Sequence, residues 1–190
     1  MILSGEEIRR HQGSDIVIDP FNPEDLNPNS YNLTLHDELL VYEEVVLDAA
    51  APNRYARLRI PTEGLTLHPR QLYLGRTVER TESERFVPIV QGRSSLARLG
   101  LFLCPGGSLG TVGYRGTWTL EMFVIQPVKI YPGMKVCQIY FHELVGEVGS
   151  YDGGKYQDSF DIQPSQMYRE FGEQPRDQQL ELGFEERLRF

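Results

Sequence analysis

Short stretches in which apolar and polar residues alternate recur along the chain, and an alternation of period two is typical of a half-buried β-strand. The pattern predicts strands at 16–18, 31–35, 39–42, 57–60, 65–67, 71–77, 86–90, 118–125 and 136–141, while 101–104 is an apolar run and 128–131 leads into a turn at Pro132-Gly133. Turn-forming residues, among them 18 glycines and 12 prolines, separate these stretches. Many short strands joined by turns predict an all-β fold, either a barrel or a sandwich.

Helical signals are few and brief. Ser4 followed by Glu7 predicts a capped helix near the N-terminus. Ser94 precedes a run of good helix formers and predicts one or two helical turns capped by that serine. Pro164 suits the first position of a short helix that would run to Phe171.

The length of 190 residues corresponds to one domain. We predict a domain over 1–171 and, at 172–190, a polar tail rich in Gln, Glu and Arg. The net charge of −8 argues against nucleic-acid binding, although a local basic pocket on an acidic protein can bind a small anion. No apolar run approaches the roughly 20 residues that span a bilayer, and signal-peptide features are missing, so we expect a cytoplasmic protein without membrane contact.

Candidate metal ligands and nucleophiles are scattered. The four histidines have no partners at metal-ligand spacing, and Cys104 and Cys137 lie in apolar surroundings that predict buried thiols. The H-x-E and P-C-x-x-C motifs of zinc nucleobase deaminases are missing. The sequence therefore predicts no zinc site and no metal held by protein ligands.

Two segments of the chain carry basic side chains in local settings that would suit the binding of an anion. The run Gly92–Ser95 places a guanidinium and two hydroxyls at a helix start, with Arg98 one turn later, which would suit a phosphate; a solvated helix cap is the alternative. Segment 153–157 holds Lys155 beside two glycines and would close over an anion, unless it is an ordinary linker.

A third feature is the carboxylate of Glu121 within an apolar strand. Burial would raise its pKa and suit it to proton transfer. The alternation with Thr117 and Thr119 equally allows it to point outward on a polar face. The residue pattern leaves both interpretations open.

These features occur in this order in one family. The segments that carry the likeness are Met1–Ser4, Asp19–Phe21, Asn29–Leu33, Leu72–Thr77, Gly92–Gly100, Gly113–Gly116, Leu120–Glu121, Tyr131–Gly133, Gln138, Gly154–Gln157 and Gln163–Ser165. Over nearly everything except the tail, the chain resembles the dCTP deaminases of the dUTPase-like superfamily. The run R-S-S-x-A-R, followed by G-[FYW]-x-G and L-E, is highly specific as a set.

The resemblance implies a distorted, jelly-roll-like β-barrel of the dUTPase-like type, with a short N-terminal helix and small peripheral helices. It implies a homotrimer with active sites between subunits. The implied reaction is the hydrolytic deamination of dCTP to dUTP and ammonia without zinc, and some relatives go on to dUMP and diphosphate. Mg²⁺ would accompany the triphosphate, and dTTP is a candidate inhibitor.

The resemblance also implies roles for individual residues. Glu121 would activate the water and shuttle its proton, while Ser94 and Arg98 would stabilise the water and the developing charge. The implied nucleotide-binding residues are Arg93, Ser95, Thr111, Tyr114, Thr119, Leu120, Tyr151, Lys155 and Gln157. Tyr114 would pack against the deoxyribose, and Lys155 would belong to a segment that closes on the triphosphate.

The chain departs from the family at several positions. Thr111 stands where relatives have an Asp near the sugar, and in dUTPases that carboxylate supports water attack on the α-phosphate. Ser159 replaces a polar amide, Phe160-Asp161 replaces Arg-Gly, and the loop at 105–110 is altered. These changes affect sugar and phosphate contacts more than the deamination centre.

Other functions stay open on the sequence. A dUTP diphosphatase is the nearest enzyme alternative, and an Asp at position 111 would have favoured it. The altered loop also fits a deoxynucleotide-binding regulator that has lost catalysis. An interaction protein that acts through its acidic tail has little support.

Overall fold

The computed structural model describes residues 1–104, 109–147, 149, 151 and 153–172. Its strands are β1 (Ile16–Asp19), β2 (Leu26–Asn27), β3 (Ser30–Thr34), β4 (Glu38–Tyr42), β5 (Tyr55–Arg59), β6 (Leu65–Leu67), β7 (Tyr73–Ser83), β8 (Phe86–Gly92), β9 (Leu101–Cys104), β10 (Arg115–Val124), β11 (Val128–Ile130) and β12 (Lys135–Glu143). The helices are α1 (Gly5–His11), α2 (Ser94–Ala97) and two 3-10 helices, Pro23–Asp25 and Met167–Glu170. The predicted all-β fold with small helices is confirmed.

The described strands form three sheets. The largest has the strand order β5–β4–β7–β10–β9, with β1 paired to the C-terminal end of β7. A second sheet has the order β2–β3–β12–β8, and β6 pairs with β11. The pairs between the described strands are antiparallel, and most of them join strands that are not consecutive in the chain. Closure of the sheets into a barrel stays a prediction.

Helix caps agree with the sequence at one end of the chain and differ at two later points. The Ser4 hydroxyl accepts the Glu7 backbone N–H at 3.2 Å, so the predicted N-cap of α1 is confirmed. The prediction that Ser94 caps α2 is wrong, because Ser94 is already helical and Arg93 occupies the cap position without a side-chain bond. The predicted C-terminal helix shrinks to Met167–Glu170, since tyrosine hydroxyls take the N–H groups of Ser165 and Gln166.

Strand β7 runs six residues beyond its predicted end at Thr77. Its inward side chains after that point are polar, and each is buried and hydrogen-bonded. The Glu79 carboxylate, 3% exposed, accepts the Thr34 backbone N–H at 2.8 Å and the Thr34 hydroxyl at 2.6 Å. Because the polar groups are satisfied, they lie inside the fold without breaking the strand.

The main core lies between the two larger sheets. Its fully buried members include Ile8 of α1, Leu33 of β3, Leu120 of β10 and Phe141 of β12. Cys137 is buried as predicted, whereas the side chain of Cys104 lies outside the described part of the chain.

A smaller apolar cluster fixes the C-terminal segment to the largest sheet. Ile162, 2% exposed, packs with Leu40 of β4 and Leu74 of β7. Apart from Gly172, the predicted tail at 172–190 is outside the described residues, and the domain boundary stays a prediction. None of the described helices is long and apolar enough to cross a membrane.

Candidate active site

A bulge between β7 and β10 sets the directions of the side chains on β10. Thr117 pairs with Arg80 and Thr119 pairs with Arg76, so three residues of β7 lie opposite Trp118 alone. The buried Thr77 hydroxyl accepts the Trp118 N–H at 3.0 Å and donates to the Glu79 carbonyl at 2.8 Å. Bulges of this kind often re-aim side chains beside functional sites.

Beyond the bulge, the two faces of β10 have different surroundings. Leu120 and Met122 are fully buried in the core, whereas Thr119 and Glu121 are half-buried on the other face. That face borders a cavity of about 660 Å³, within the size range of small-molecule sites. Glu121 therefore points away from the core, as one of the two interpretations of its sequence pattern expected. Its side chain nevertheless lies in a cavity.

The C-terminal strap, defined here as residues 153–167, covers the half of β10 that β9 leaves unpaired. Strand β9 pairs with β10 from Glu121 onward. Before that point the Thr117 N–H donates to the Ser159 carbonyl at 2.8 Å, and the Gln163 N–H donates to the Thr119 hydroxyl at 2.9 Å. The Ser165 N–H donates to the Tyr42 hydroxyl at 2.8 Å. The strap is thus a fixed wall of the cavity.

Five of the predicted site residues line this cavity: Thr111, Tyr114, Thr119, Glu121 and Tyr151. The Tyr114 hydroxyl donates to the Thr117 carbonyl at 2.7 Å, and its ring lies 4.7 Å from that of Trp118. Burial raises the pKa of Tyr114, so its phenol stays neutral. These contacts hold the aromatic ring rigidly against the strand that carries Glu121.

Gln157 and Lys155 are held by neighbouring protein groups. The Gln157 carboxamide donates to the Gly113 carbonyl at 2.7 Å and accepts the Arg115 N–H at 3.2 Å. It lines a second cavity of about 210 Å³ together with Tyr114 and Tyr151. The Lys155 ammonium pairs with the Glu170 carboxylate at the protein surface. The structure does not bring either side chain to the cavity that holds Glu121.

The four predicted residues around α2 lie apart from the cavity. Arg93 is half-buried, and Ser94, Ser95 and Arg98 are exposed. The Arg98 guanidinium donates to the Ser94 hydroxyl at 3.2 Å. None of the four lines the Glu121 cavity within this one chain, and the buried Leu120 side chain also turns away from it. The predicted site is therefore divided into two separate parts.

Sequence reasoning missed several wall residues of the cavity. These are Tyr42, Leu47, Ala49 and Asn53 around the β4–β5 loop, Leu72 and Leu74, and Gln163, Ser165 and Met167 of the strap. Only their positions relative to β10 make them part of a site, and no local pattern gives those positions. Of the altered loop at 105–110, residues 105–108 fall outside the described residues.

Metal ligands do not cluster in the part of the chain that the structure describes. There, no three side chains of His, Cys, Asp or Glu come together in a way that could hold a metal ion. The absence of zinc stays a prediction.

We expect Gly116→Ala to displace the strap. Gly116 has a φ of +151°, and an added Cβ would overlap the Ser159 carbonyl oxygen. Trp118, the chain's single tryptophan, is 7% exposed at the cavity wall, so its fluorescence should shift to longer wavelength. Gly133→Ala is the matched control, because Gly133 has a φ of +77° but open space around it. An unchanged emission wavelength in Gly116→Ala would show that the close approach of the Ser159 carbonyl to Gly116 does not hold the strap in place.

The ion pair between Arg57 and Asp161 should make strap stability depend on pH. The Arg57 guanidinium keeps the pKa of Asp161 below its usual value of about 4. The ion pair therefore contributes fully to stability above about pH 4. This contribution is lost as the pH falls through the lowered pKa of Asp161 in the folded protein. Because both partners are about half exposed, Asp161→Asn should cost at most about 1 kcal/mol at pH 7. Urea unfolding should show that the difference in the free energy of unfolding between the variant and the unmodified chain disappears in acid. A difference that stays constant with pH would contradict this role of the ion pair.

Known proteins resemble this chain over most of its length. A family model described as dCTP deaminase-like matches residues 2–144. The chain belongs to the dCTP deaminase-like family. A Rhodopirellula baltica protein named dCTP deaminase is 67% identical over 189 residues, covering 100% of this chain and 96% of that protein. A Clostridium acetobutylicum protein named dCTP deaminase, dUMP-forming, is 53% identical over 171 residues, covering 90% of this chain and 99% of that protein.

Family membership places the chain among enzymes, and a solved structure supports the fold. The crystal structure of 2′-deoxycytidine 5′-triphosphate deaminase from Agrobacterium tumefaciens matches with a TM-score of 0.61 at 18% identity. The match covers 75% of this chain and 48% of that chain, so the matched part of this chain spans about half the length of the solved one. This likeness confirms the all-β fold expected from the sequence of this dCTP deaminase-like family member.

Proposed function

We propose that this chain catalyses the hydrolytic deamination of dCTP to dUTP and ammonia without a bound zinc ion. The observation that carries the proposal is the position of Glu121 in a cavity of nucleotide size, beside Tyr114 and Thr119. Relatives that share 67% and 53% of their aligned residues with this chain are named for dCTP deamination.

The proposed chemistry assigns proton transfer to Glu121. Its carboxylate takes a proton from water while the water oxygen bonds to C4 of the cytosine ring. The proton passes to N3, and the C4–N4 bond then breaks as the amine gains a second proton and leaves as ammonia. The second proton comes from the new hydroxyl, which becomes the C4 carbonyl. A positioned acid–base group of this kind supplies roughly 10²- to 10⁴-fold of rate.

The second part of the site comes from another copy of the chain in this proposal. Ser94 and Arg98 are exposed and separate from the Glu121 cavity, so they are available to a neighbouring subunit. Beside α2 lies an apolar patch of Leu99, Phe123 and Ile125, which are 52%, 41% and 67% exposed. Exposed apolar patches of this kind mark protein interfaces. A cyclic homotrimer would cover the patch and bring α2 of one subunit to the cavity of the next.

The triphosphate would bind between the two parts of the site. Arg93 and Ser95 of one copy supply a guanidinium and a hydroxyl, and Lys155 of the other supplies an ammonium once it leaves Glu170. Mg²⁺ would reach the site with the triphosphate oxygens. Binding of dTTP as an inhibitor belongs to the same proposal, since it presents the same sugar and triphosphate.

The proposed end product is dUTP. Thr111 is exposed at the cavity wall and has no carboxylate to support water attack on a phosphate. The relative from R. baltica is named dCTP deaminase, whereas that from C. acetobutylicum is named dUMP-forming. Hydrolysis to dUMP would need a group other than residue 111.

The test is to incubate the purified chain with dCTP and Mg²⁺, with zinc omitted and a chelator-treated sample of the protein alongside. Ammonia release with accumulation of dUTP is expected. Formation of dUMP would contradict the argument about Thr111. Pyrophosphate release from dUTP without ammonia release from dCTP would identify a dUTP diphosphatase. Tight binding of dCTP without turnover would place the chain among nucleotide-binding regulators.

A further inference from the structure

The described part of the cavity wall contains two carboxamide side chains, Asn53 and Gln163, which differ in their remaining hydrogen-bonding capacity. Both ends of the Asn53 carboxamide form hydrogen bonds within the β4–β5 loop. Its Oδ1 accepts the Asp48 N–H at 2.9 Å, and its Nδ2 donates to the carbonyls of Asp48 and Ala51 at 2.8 and 3.2 Å. Asn53 is therefore a structural residue.

Several hydroxyls in the wall are also engaged in holding the strap. Those of Tyr42 and Thr119 accept backbone N–H groups of the strap, at 2.8 and 2.9 Å. Those of Tyr114 and Ser159 donate to carbonyls of Thr117 and Asp161, at 2.7 and 3.1 Å. These groups build the wall before any ligand arrives.

Gln163 keeps more of its capacity. Among the described residues, its Oε1 accepts one bond, from Gln166 Nε2 at 3.2 Å, and its Nε2 makes one long contact of 3.5 Å to the Asp161 carbonyl. A carboxamide offers two lone pairs and two N–H groups, so one of each remains. The bond from Gln166 also restricts rotation of this amide.

The backbone fixes Gln163 close to Glu121. The Gln163 N–H donates to the hydroxyl of Thr119, which stands two residues before Glu121 on the same face of β10. A ring that places its reacting carbon at Glu121 therefore comes within reach of the Gln163 side chain.

We infer that Gln163 is a specificity-determining residue that hydrogen-bonds the polar edge of the pyrimidine ring. This inference rests on the proposed function, because it takes dCTP as the ligand. A carboxamide presents a donor and an acceptor side by side, the pairing by which Asn and Gln read adenine. Cytosine has the same arrangement in its N3 acceptor and N4 amine, and this contact belongs to the bound substrate before the proton reaches N3.

The test compares Gln163→Leu with Gln91→Leu, a matched change at an exposed glutamine of β8 outside the cavity. Deamination of dCTP is measured for both variants and for the unmodified chain, and inorganic tripolyphosphate is used as an inhibitor that has no base. Gln163→Leu should raise the KM for dCTP at least tenfold and leave the inhibition constant of tripolyphosphate unchanged. Gln91→Leu should match the unmodified chain in both.

Each outcome separates the inference from the function on which it rests. An unchanged KM in Gln163→Leu would overturn the inference. A parallel loss of tripolyphosphate inhibition would overturn it too, because it would show a general loosening of the strap. If the unmodified chain does not deaminate dCTP, the proposed function fails; a Kd for dCTP that rises tenfold in Gln163→Leu would still support base contact.

Discussion

Glu121→Gln is expected to lower the kcat for dCTP deamination by about 10³-fold or more. The amide matches the carboxylate in size but cannot take a proton from water, and loss of a general base costs roughly 10²- to 10⁴-fold. Glu121 is half-buried and its strand is paired on both sides, with Leu74 of β7 and Cys104 of β9, so the backbone should not move. Ammonia release under saturating dCTP measures the effect.

Binding separates a chemical role of Glu121 from a structural one. The Kd for dCTP should change far less than kcat, because proton transfer is needed in the transition state and not in the bound complex. A variant that keeps a tenth of the original kcat would show that another group activates the water. A variant that loses binding and turnover together would mean that Glu121 mainly builds the pocket.

Arg98→Ala is expected to lower kcat by about 10²- to 10³-fold, the usual cost of removing one preorganised donor at a developing charge. Within one chain, Arg98 is exposed and donates to the Ser94 hydroxyl at 3.2 Å. Its loss should therefore change the free energy of unfolding by less than about 0.5 kcal/mol. A large loss of activity without a loss of stability is the result that distinguishes a site residue from a structural one.

Arg59→Ala is the matched control for this change. Arg59 is also an exposed arginine, and its ion pair with Asp37 at 2.9 Å lies away from the cavity. That variant should keep full activity. If Arg98→Ala keeps full activity as well, the cluster around α2 is a solvated helix cap, which was the alternative interpretation of its sequence.

The strand positions could be predicted from the sequence because each depends on a local alternation of apolar and polar residues. The prediction failed where a long-range contact decides the outcome. The end of β7 is one case, since Glu79 is buried against Thr34, 45 positions away in the chain. The cap of α2 failed for a local reason, because the Ser94 hydroxyl accepts from Arg98 one turn later and does not cap the helix.

Part of the candidate site could also be predicted from the sequence. The motif around Glu121 identified Tyr114 and Thr119, which share its cavity, because these residues lie on or beside one strand. Gln163 was quoted as part of a motif and received no role. Its position depends on the strap crossing β10, and the bond from its N–H to Thr119 joins residues 44 positions apart. Neighbouring residues in the sequence give no sign of such a contact.

The proposed division of the active site between two subunits predicts that activity depends on assembly. Glu121 and Arg98 lie in separate parts of one chain, so the proposed reaction needs at least two copies. Dilution that separates the subunits should then abolish activity while each chain stays folded.

Mixing two inactive variants tests this account most directly. Glu121→Gln and Arg98→Ala are purified separately, allowed to exchange subunits, and assayed with dCTP, with native mass spectrometry to verify mixed oligomers. In a 1:1 mixture, roughly one quarter of the sites pair an intact Glu121 with an intact Arg98 from the neighbour, since cyclic symmetry gives each site one such neighbour. We predict recovery towards one quarter of the original activity. Mixed oligomers that stay inactive would contradict a site built from two subunits.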